Sequence, residues 1–372
     1  MKKKWRSILL FGAVILGMVL LITESYRDRG NNSAAVSDAK GDGVADDTQA
    51  IQQAIDETPE GGTLQIDEGI YKLSKNEELV SVTGYGEAFF ALEITKPITI
   101  LMDGAVFKTE TDKEYGVFWI HDTEEVHLIG GVLLGEKIPE SGSLISNIAV
   151  MIQDTQKSSV DSLYMKNHSQ GVHLHHSDNN TVRNVTSEFN FGSGIINFAS
   201  NNNVIESCTI RNSGDGHLSL YGVGKGNLVK NCFVSEDRPG NDSQQGITVE
   251  SELSSIIENN TVTGFYYGID IKNASDSNII RSNNVFNNYY NIAVRPGDGG
   301  GNLMTPSNNI QIINNLALDP RNESDRGIFI GIGEGHVVTG NVLYEEHLVI
   351  TDEDLMEQYD DENFYIDHGN DE

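Results

Sequence analysis

One short phrase returns through the second half of the chain, and it limits the possible folds more than any other feature. Its copies read NNTVRNV, NNVIESC, GNLVKNC, SSIIENN, SNIIRSN, NNIQIIN and GHVVTGN, ending at Val185, Cys208, Cys232, Asn260, Asn283, Asn314 and Asn341. The steps between these ends are 23, 24, 28, 23, 31 and 27 residues. A second phrase falls between the copies: GVHLH, GIINF, GHLSL, GITVE, GIDIK, NIAVR and GIFIG. A period of this size, built from short strands between Asn, Gly and Ser turns, marks a solenoid. No such repeat buries its own apolar face, so each coil must stack on the next.

The residue types select the solenoid. Leucine-rich repeats hold leucines at fixed places and helical repeats show a 3.6-residue period, whereas here Ile and Val alternate with polar residues and Asn recurs once per coil. Parallel coils place equivalent residues about 4.8 Å apart. Asn260, Asn283, Asn314 and Asn341 are therefore expected to form an internal ladder, continued by Val185, Cys208 and Cys232 as small fillers. Such a ladder satisfies polar groups whose burial would otherwise cost a few kcal/mol each. The expectation is an all-β solenoid, a single-stranded right-handed parallel β-helix.

The chain opens MKKKWRS, followed by an apolar run over residues 8–22, the pattern of an export signal. No small-x-small cleavage site follows closely, so an uncleaved anchor is preferred to a cleaved peptide, with the rest of the chain extracytoplasmic. The expected layout is a signal segment over 1–29, a polar linker over 30–40, the solenoid over 41–350 and an acidic tail over 351–372. The excursion at 136–146 and the long turn at 235–245 are expected to wall a groove.

The segment GDGVADDTQAIQQAIDETPEGGTLQIDEGIYKLS begins at Gly41. Asp46 or Asp47 is placed to cap a helix over about 47–57, with Ala50, Ile51, Ala54 and Ile55 on one face. This segment resembles the N-terminal segment of the pectate-lyase/polygalacturonase superfamily of β-helix proteins, in which a GDGxxDDTxAIQxAI stretch caps the first coil. The resemblance implies that fold and an acidic, uronate-containing polysaccharide as substrate. The strings NTDG, DD, GHG and RIK that carry the reaction in polygalacturonases do not occur together here, and neither does the YGFDPH of mannuronan C5 epimerases.

A net charge of −30 argues against a broad basic face for nucleic acid or anionic lipid. It admits an acidic polysaccharide if a local cationic patch, or a bridging Ca2+, lies in the groove. No dedicated metal site is read from the sequence; Asp42, Asp46 and Asp47 are preferred as turn and cap residues. Cys208 and Cys232 are expected as free thiols inside the core. A monomer is expected.

Alternation along the second phrase predicts which residues face outward. With Ile and Val inward, one outer column runs His173, Asn197, Ser219, Thr248, Asp270, Ala293. Its neighbour runs His175, Ala199, Tyr221, Glu250, Lys272, Arg295. Asp215 and His217 stand at the leading edge. The alternative to a site is an ordinary polar face with cross-coil ion pairs such as Glu250 with Lys272. The expected catalytic set is His217, Tyr221, Asp215, Glu250 and Asp270, with Lys272, Arg295, His173, His175 and Asn197 binding substrate. Proton abstraction beside a uronate carboxylate needs a base and a positive neighbour, which His217, Tyr221, Lys272 and Arg295 would supply. Polysaccharide lyase chemistry, β-elimination, is the preferred reading. The alternatives are a glycoside hydrolase or C5 epimerase on the same fold, and a non-catalytic glycan-binding or scaffold β-helix.

Overall fold

The computed structural model describes residues 33–36, 38–83, 86–110, 114–136, 144–238, 245–297, 305–318, 321, 326–344, 348–351 and 362–366. The apolar run at 8–22 lies outside these residues, as do 137–143 and 239–244 from the two expected walls. No helix among the described residues is long and apolar enough to cross a membrane.

Three sheets of 12, 13 and 12 strands run the length of the molecule. Each coil contributes one strand to each sheet, and the chain climbs about 11 turns as a right-handed parallel β-helix. Among the described residues every pairing is parallel except that of Asn76–Thr83 with Gly86–Ile94, a hairpin at the start of the third sheet. The register keeps like over like: Val182, Ile205, Val229, Ile257, Ile280 and Ile312 stack on successive coils of the first sheet. All are buried, and each contributes about 1.5–3 kcal/mol through removal of its side chain from water.

The repeated phrase is a corner. Asn184, Ser207, Asn231, Asn259, Ser282 and Asn314 each turn it with φ of 54–56°, and Gly340 does so at 67°. This left-handed region is the one that Asn and Gly tolerate best. The residue after each corner points inward: Val185, Cys208, Cys232, Asn260, Asn283, Asn315 and Asn341, all buried. Asn283 Nδ2 donates to Asn315 Oδ1, and Asn315 Nδ2 to Asn341 Oδ1, both at 3.0 Å. Asn314, expected in the ladder, is instead the exposed corner residue, and Asn315 takes the rung. Asn341 Nδ2 continues the ladder to Asn363 Oδ1 at 2.9 Å. Cys208 and Cys232 are free buried thiols, and burial pushes the Cys208 thiol up.

The ends of the solenoid depart from the expected layout. Ser33–Ala35, expected in a linker, pairs with Thr63–Gln65, and Phe364–Ile366, expected in an acidic tail, pairs with Val342–Tyr344. The helix Thr48–Glu57 covers the first coils with Ile51, Ala54 and Ile55. Asp46 Oδ1 accepts from the Thr48 amide and hydroxyl at 3.1 and 2.6 Å. Asp47 turns the other way, accepting from the Lys40 and Gly41 amides.

Candidate functional site

The outer face of the third sheet carries the site, and strand pairing fixes its columns. One column runs His173, Ile196, Ser219, Thr248, Asp270, Ala293, and the other runs His175, Phe198, Tyr221, Glu250, Lys272, Arg295. Beside this face lies a cavity of about 410 Å3. His173, Ser219 and Thr248 lie along its floor, Leu144, Ile145 and Gln170 stand at one side, and Asp215 and Gln245 sit at the leading edge. Tyr221, Glu250 and Lys272 line the opposite side.

Two floor groups are buried and have no hydrogen-bond partner among the described residues: His173 Nε2 and Thr248 Oγ1. His173 Nδ1 is held by Gln170 Oε1 at 2.8 Å. With the amide oxygen so assigned, Nδ1 carries the proton and the Nε2 lone pair is left for a ligand. Burial, reinforced by the neighbouring His175 and His176, pushes the His173 imidazole down to about 3. It is therefore a neutral hydrogen-bonding group near pH 7 rather than a carrier of charge. An unsatisfied buried polar group costs about 1–3 kcal/mol, so hydroxyl groups that reach this floor find partners prepared for them. Gly216 is required here because a Cβ would stand 2.5 Å from Ser219 Oγ and 2.6 Å from Thr248 Oγ1.

The second column supplies aromatic surface. His175 stacks on Phe198 with centroids 5.0 Å apart, and Phe198 lies 5.4 Å from Tyr221. His175 is buried, and burial followed by the His176 charge pushes it down to about 4.

The cationic end is already paired. Arg295 forks onto Asp270 at 2.7 and 2.8 Å and lies over the Tyr267 ring. Lys272 Nζ stands 3.5 Å from Glu250 Oε2 and 3.7 Å from Asp270 Oδ2. Burial pushes the Tyr267 hydroxyl up to about 12. The expected cross-coil ion pairs are therefore present. Asp270 and Arg295 are buried and do not line the cavity, whereas Lys272, buried to the same degree as Arg295 and already beside two carboxylates, does line it.

Two orientations read from the sequence are corrected. Asn197 faces inward, not outward: its Oδ1 accepts from Asn203 Nδ2 at 2.7 Å and its Nδ2 donates to Ser200 O. Ile196 and Phe198 take the outward places, with Phe198 where Ala199 was expected. His217 is fully buried and does not line the cavity. Its Nε2 accepts from the Ser213 amide at 3.0 Å and its Nδ1 donates to Asp215 O at 3.1 Å. Glu236 Oε2 lies 3.5 Å from the same Nε2. Burial alone would raise the Glu236 carboxyl, but hydrogen bonds from the Arg238 guanidinium and amide prevail and hold it at about 2. His217 therefore clamps the bend that presents Asp215.

Of the residues expected at the site, Asp215, Tyr221, Glu250, Lys272 and His173 line one cavity, and Gln170 and Ile196 line it without having been expected there. Gln170 had a visible signal: SQGVHLH and QQGITVE both open their strand with Gln followed by Gly, and Gln245 lines the cavity too. For the bridging Ca2+, no group of three His, Cys, Asp or Glu side chains converges among the described residues.

A family model described as a right-handed β-helix region matches residues 170–343. No curated protein matches the sequence. Among solved structures, the chain is similar to the A-module of a mannuronan C-5 epimerase from Azotobacter vinelandii, with a TM-score of 0.62 and 14% identity over 84% of this chain and 87% of that one. It is also similar to a hyperthermoactive exopolygalacturonase from Thermotoga maritima, with a TM-score of 0.54 and 15% identity over 86% and 89%. A third likeness is to the tailspike of E. coli bacteriophage HK620, whose structure holds a pentasaccharide, with a TM-score of 0.55 and 16% identity over 82% and 64%. The chain therefore shares the fold of the right-handed parallel β-helix proteins, and the matched region covers its later coils.

Proposed function

We propose that this chain acts outside the membrane on a uronate-containing polysaccharide, cleaving it by β-elimination, with residues 8–22 as export signal and tether. The observation that carries the reading is the cavity floor, where His173 Nε2 and Thr248 Oγ1 are buried without partners among the described residues, beside the Tyr221 ring, Ile196 and a lysine. Sugars present hydroxyl groups to such a floor and apolar ring faces to Tyr221 and Ile196, and a uronate adds a carboxylate for Lys272. The names of the neighbours above, which denote action on or binding to sugar chains, support the same class.

In the elimination, a base removes the proton on the carbon beside the carboxylate. The electron pair forms a carbon–carbon double bond, and the glycosidic oxygen leaves with a proton. Lys272 stabilises the charge that develops on the carboxylate. The Tyr221 side chain, half-buried at the cavity wall, takes that proton onto its phenolate oxygen and passes it to the departing glycosidic oxygen. His173, neutral at pH 7, accepts a sugar hydroxyl and fixes the ring. Hydrolysis is less well served, because it needs two available carboxyl groups about 5–9.5 Å apart. Asp270 is committed to Arg295. Glu250 pairs with the Tyr221 position, whereas Asp215 lies beyond Leu218, already three strand residues or about 10 Å away.

The test is incubation with pectate, alginate and hyaluronan. Ultraviolet absorbance from an unsaturated uronate is expected. Tyr221→Phe should lower the rate about 10²–10⁴-fold while leaving the melting temperature unchanged. New reducing ends without absorbance would show hydrolysis, solvent deuterium uptake without cleavage would show epimerisation, and binding alone would show a non-catalytic glycan-binding protein. Recovery of the full chain from a soluble cytoplasmic fraction would overturn the location.

A further inference from the structure

We infer that the cavity is closed at both ends along the solenoid axis, so that it takes the terminus of a uronate chain or a short oligosaccharide and not the middle of a polymer. The inference rests on the reading of the site as a uronate site. An outer sheet face that held a polymer running straight through would have to be open on the coils before and after the site, and here both are filled.

On one side, Met151 occupies the His173 column one coil earlier. It faces outward yet is completely buried, packed with Leu79, Phe90, Ile145 and Ile148 in an apolar cluster separate from the main core. The cover is the strand Asn76–Thr83, which doubles back at the start of the third sheet. Ser81 Oγ on that strand donates to Gln153 Oε1 at 2.6 Å, pinning it across the outer face. Ile145 belongs to this cluster and also lines the cavity, so the cluster is itself the end wall.

On the other side, the column continues through Asp270 and Ala293, both outward-facing and both 0% exposed. The Arg295 fork on Asp270 lies there. Between the two walls, His173 to Lys272 spans five strands, about 19 Å at the spacing of parallel strands. That length and the volume of about 410 Å3, in the lower part of the roughly 300–1,000 Å3 range of ligand sites, suit a few sugar residues.

The test uses the full chain with long polyuronate, the same polymer sonicated to shorter lengths at equal mass, and defined oligouronates. Absorbance and viscosity are followed together. The expected result is a rise in absorbance with viscosity lagging far behind, one short product size, and an initial rate that grows in proportion to the number of chain ends. Widening the wall with Ile145→Ala should lengthen the product without removing turnover. A rapid fall in viscosity with a ladder of product sizes would overturn the closed-ended cavity while leaving β-elimination standing. Failure to turn over or bind any uronate, of any length, would sink the functional reading and this inference with it.

Discussion

Glu252 offers the most direct quantitative test of how the interior of this solenoid is built. It is fully buried and faces the core where other coils carry a serine: Ser200 Oγ accepts from the Ser177 amide, and Ser275 Oγ from the Glu252 amide. Room for the longer side chain comes from Gly224 on the preceding coil, where a Cβ would stand 2.5 Å from Glu252 Oε2. Oε1 accepts from Asn227 Nδ2 and Ser255 Oγ at 2.5 and 2.6 Å, whereas Oε2 has no hydrogen-bond partner. No cation among the described residues offsets the burial, which outweighs the neutral hydrogen bonds and pushes the carboxyl from 4.5 up to about 7.

A carboxyl whose folded pKa is raised holds its proton more tightly in the folded state. Its stabilising effect is complete below 4.5 and is lost as pH rises through about 7. The step from 4.5 to about 7 makes this loss about 3 kcal/mol. Glu252→Gln keeps the shape of the protonated acid and cannot ionise. Urea unfolding of parent and variant at pH 5 and pH 8 should give nearly equal stabilities at the lower pH. At the higher pH the variant should be more stable by about 3 kcal/mol. Other titrating groups are common to both proteins and cancel in the difference. Parallel profiles, or a glutamine equally destabilising at both values, would refute the reasoning.

Other perturbations separate the interior from the site. Asn283→Ala removes the acceptor of the Asn260 amide and the donor to Ile257 O; the urea midpoint should fall by the equivalent of about 3 kcal/mol, and Asn314→Ala should cost less than half as much. His217→Ala strips the Ser213 amide of its acceptor and should destabilise by about 2–3 kcal/mol; lost turnover with unchanged stability would instead make His217 a catalytic group. His173 is depressed from 6.5 to about 3, so its stabilising contribution is present above 6.5 and lost as pH falls toward 3. His173→Gln should therefore flatten the acid limb of the stability profile by about 2 kcal/mol at pH 5, and an unchanged limb would argue against a buried neutral imidazole.

The inside of the molecule was legible because two independent signals agree there. Ile and Val alternate with the strand period, and the corner phrase repeats at each coil, so each fixes the register that the other suggests. The misreadings fall where one signal is silent. In GIINF two isoleucines stand side by side, and alternation fits either register. The register adopted turns Asn197 inward, which is tolerable because Asn203 and Ser200 satisfy its amide. In IINNL the two asparagines are interchangeable by type, and the left-handed corner selects Asn314 for the turn and Asn315 for the ladder. His217 was assigned by extending alternation one residue too far: the strand begins at Leu218, and His217 belongs to the bend before it.

The outer face is a different kind of problem, because residue type leaves the partner of a charge undecided. The register that put Glu250, Asp270, Lys272 and Arg295 on neighbouring strands was readable from the sequence. Whether those charges meet one another or a ligand depends on what covers the coils around them, and that cover comes from distant sequence. Asp270 is buried and bound by Arg295, so its column position says nothing about availability. His173 occupies the same column four coils earlier, with its Nε2 at the cavity and no partner among the described residues. The strand Asn76–Thr83, about a hundred residues before His173 in the chain, helps to make that difference by filling the place beside it and leaving the floor open. The end walls of the cavity therefore do not repeat with the coil, and the repeat that reveals the columns of the site does not reveal which of their members stay open to a ligand.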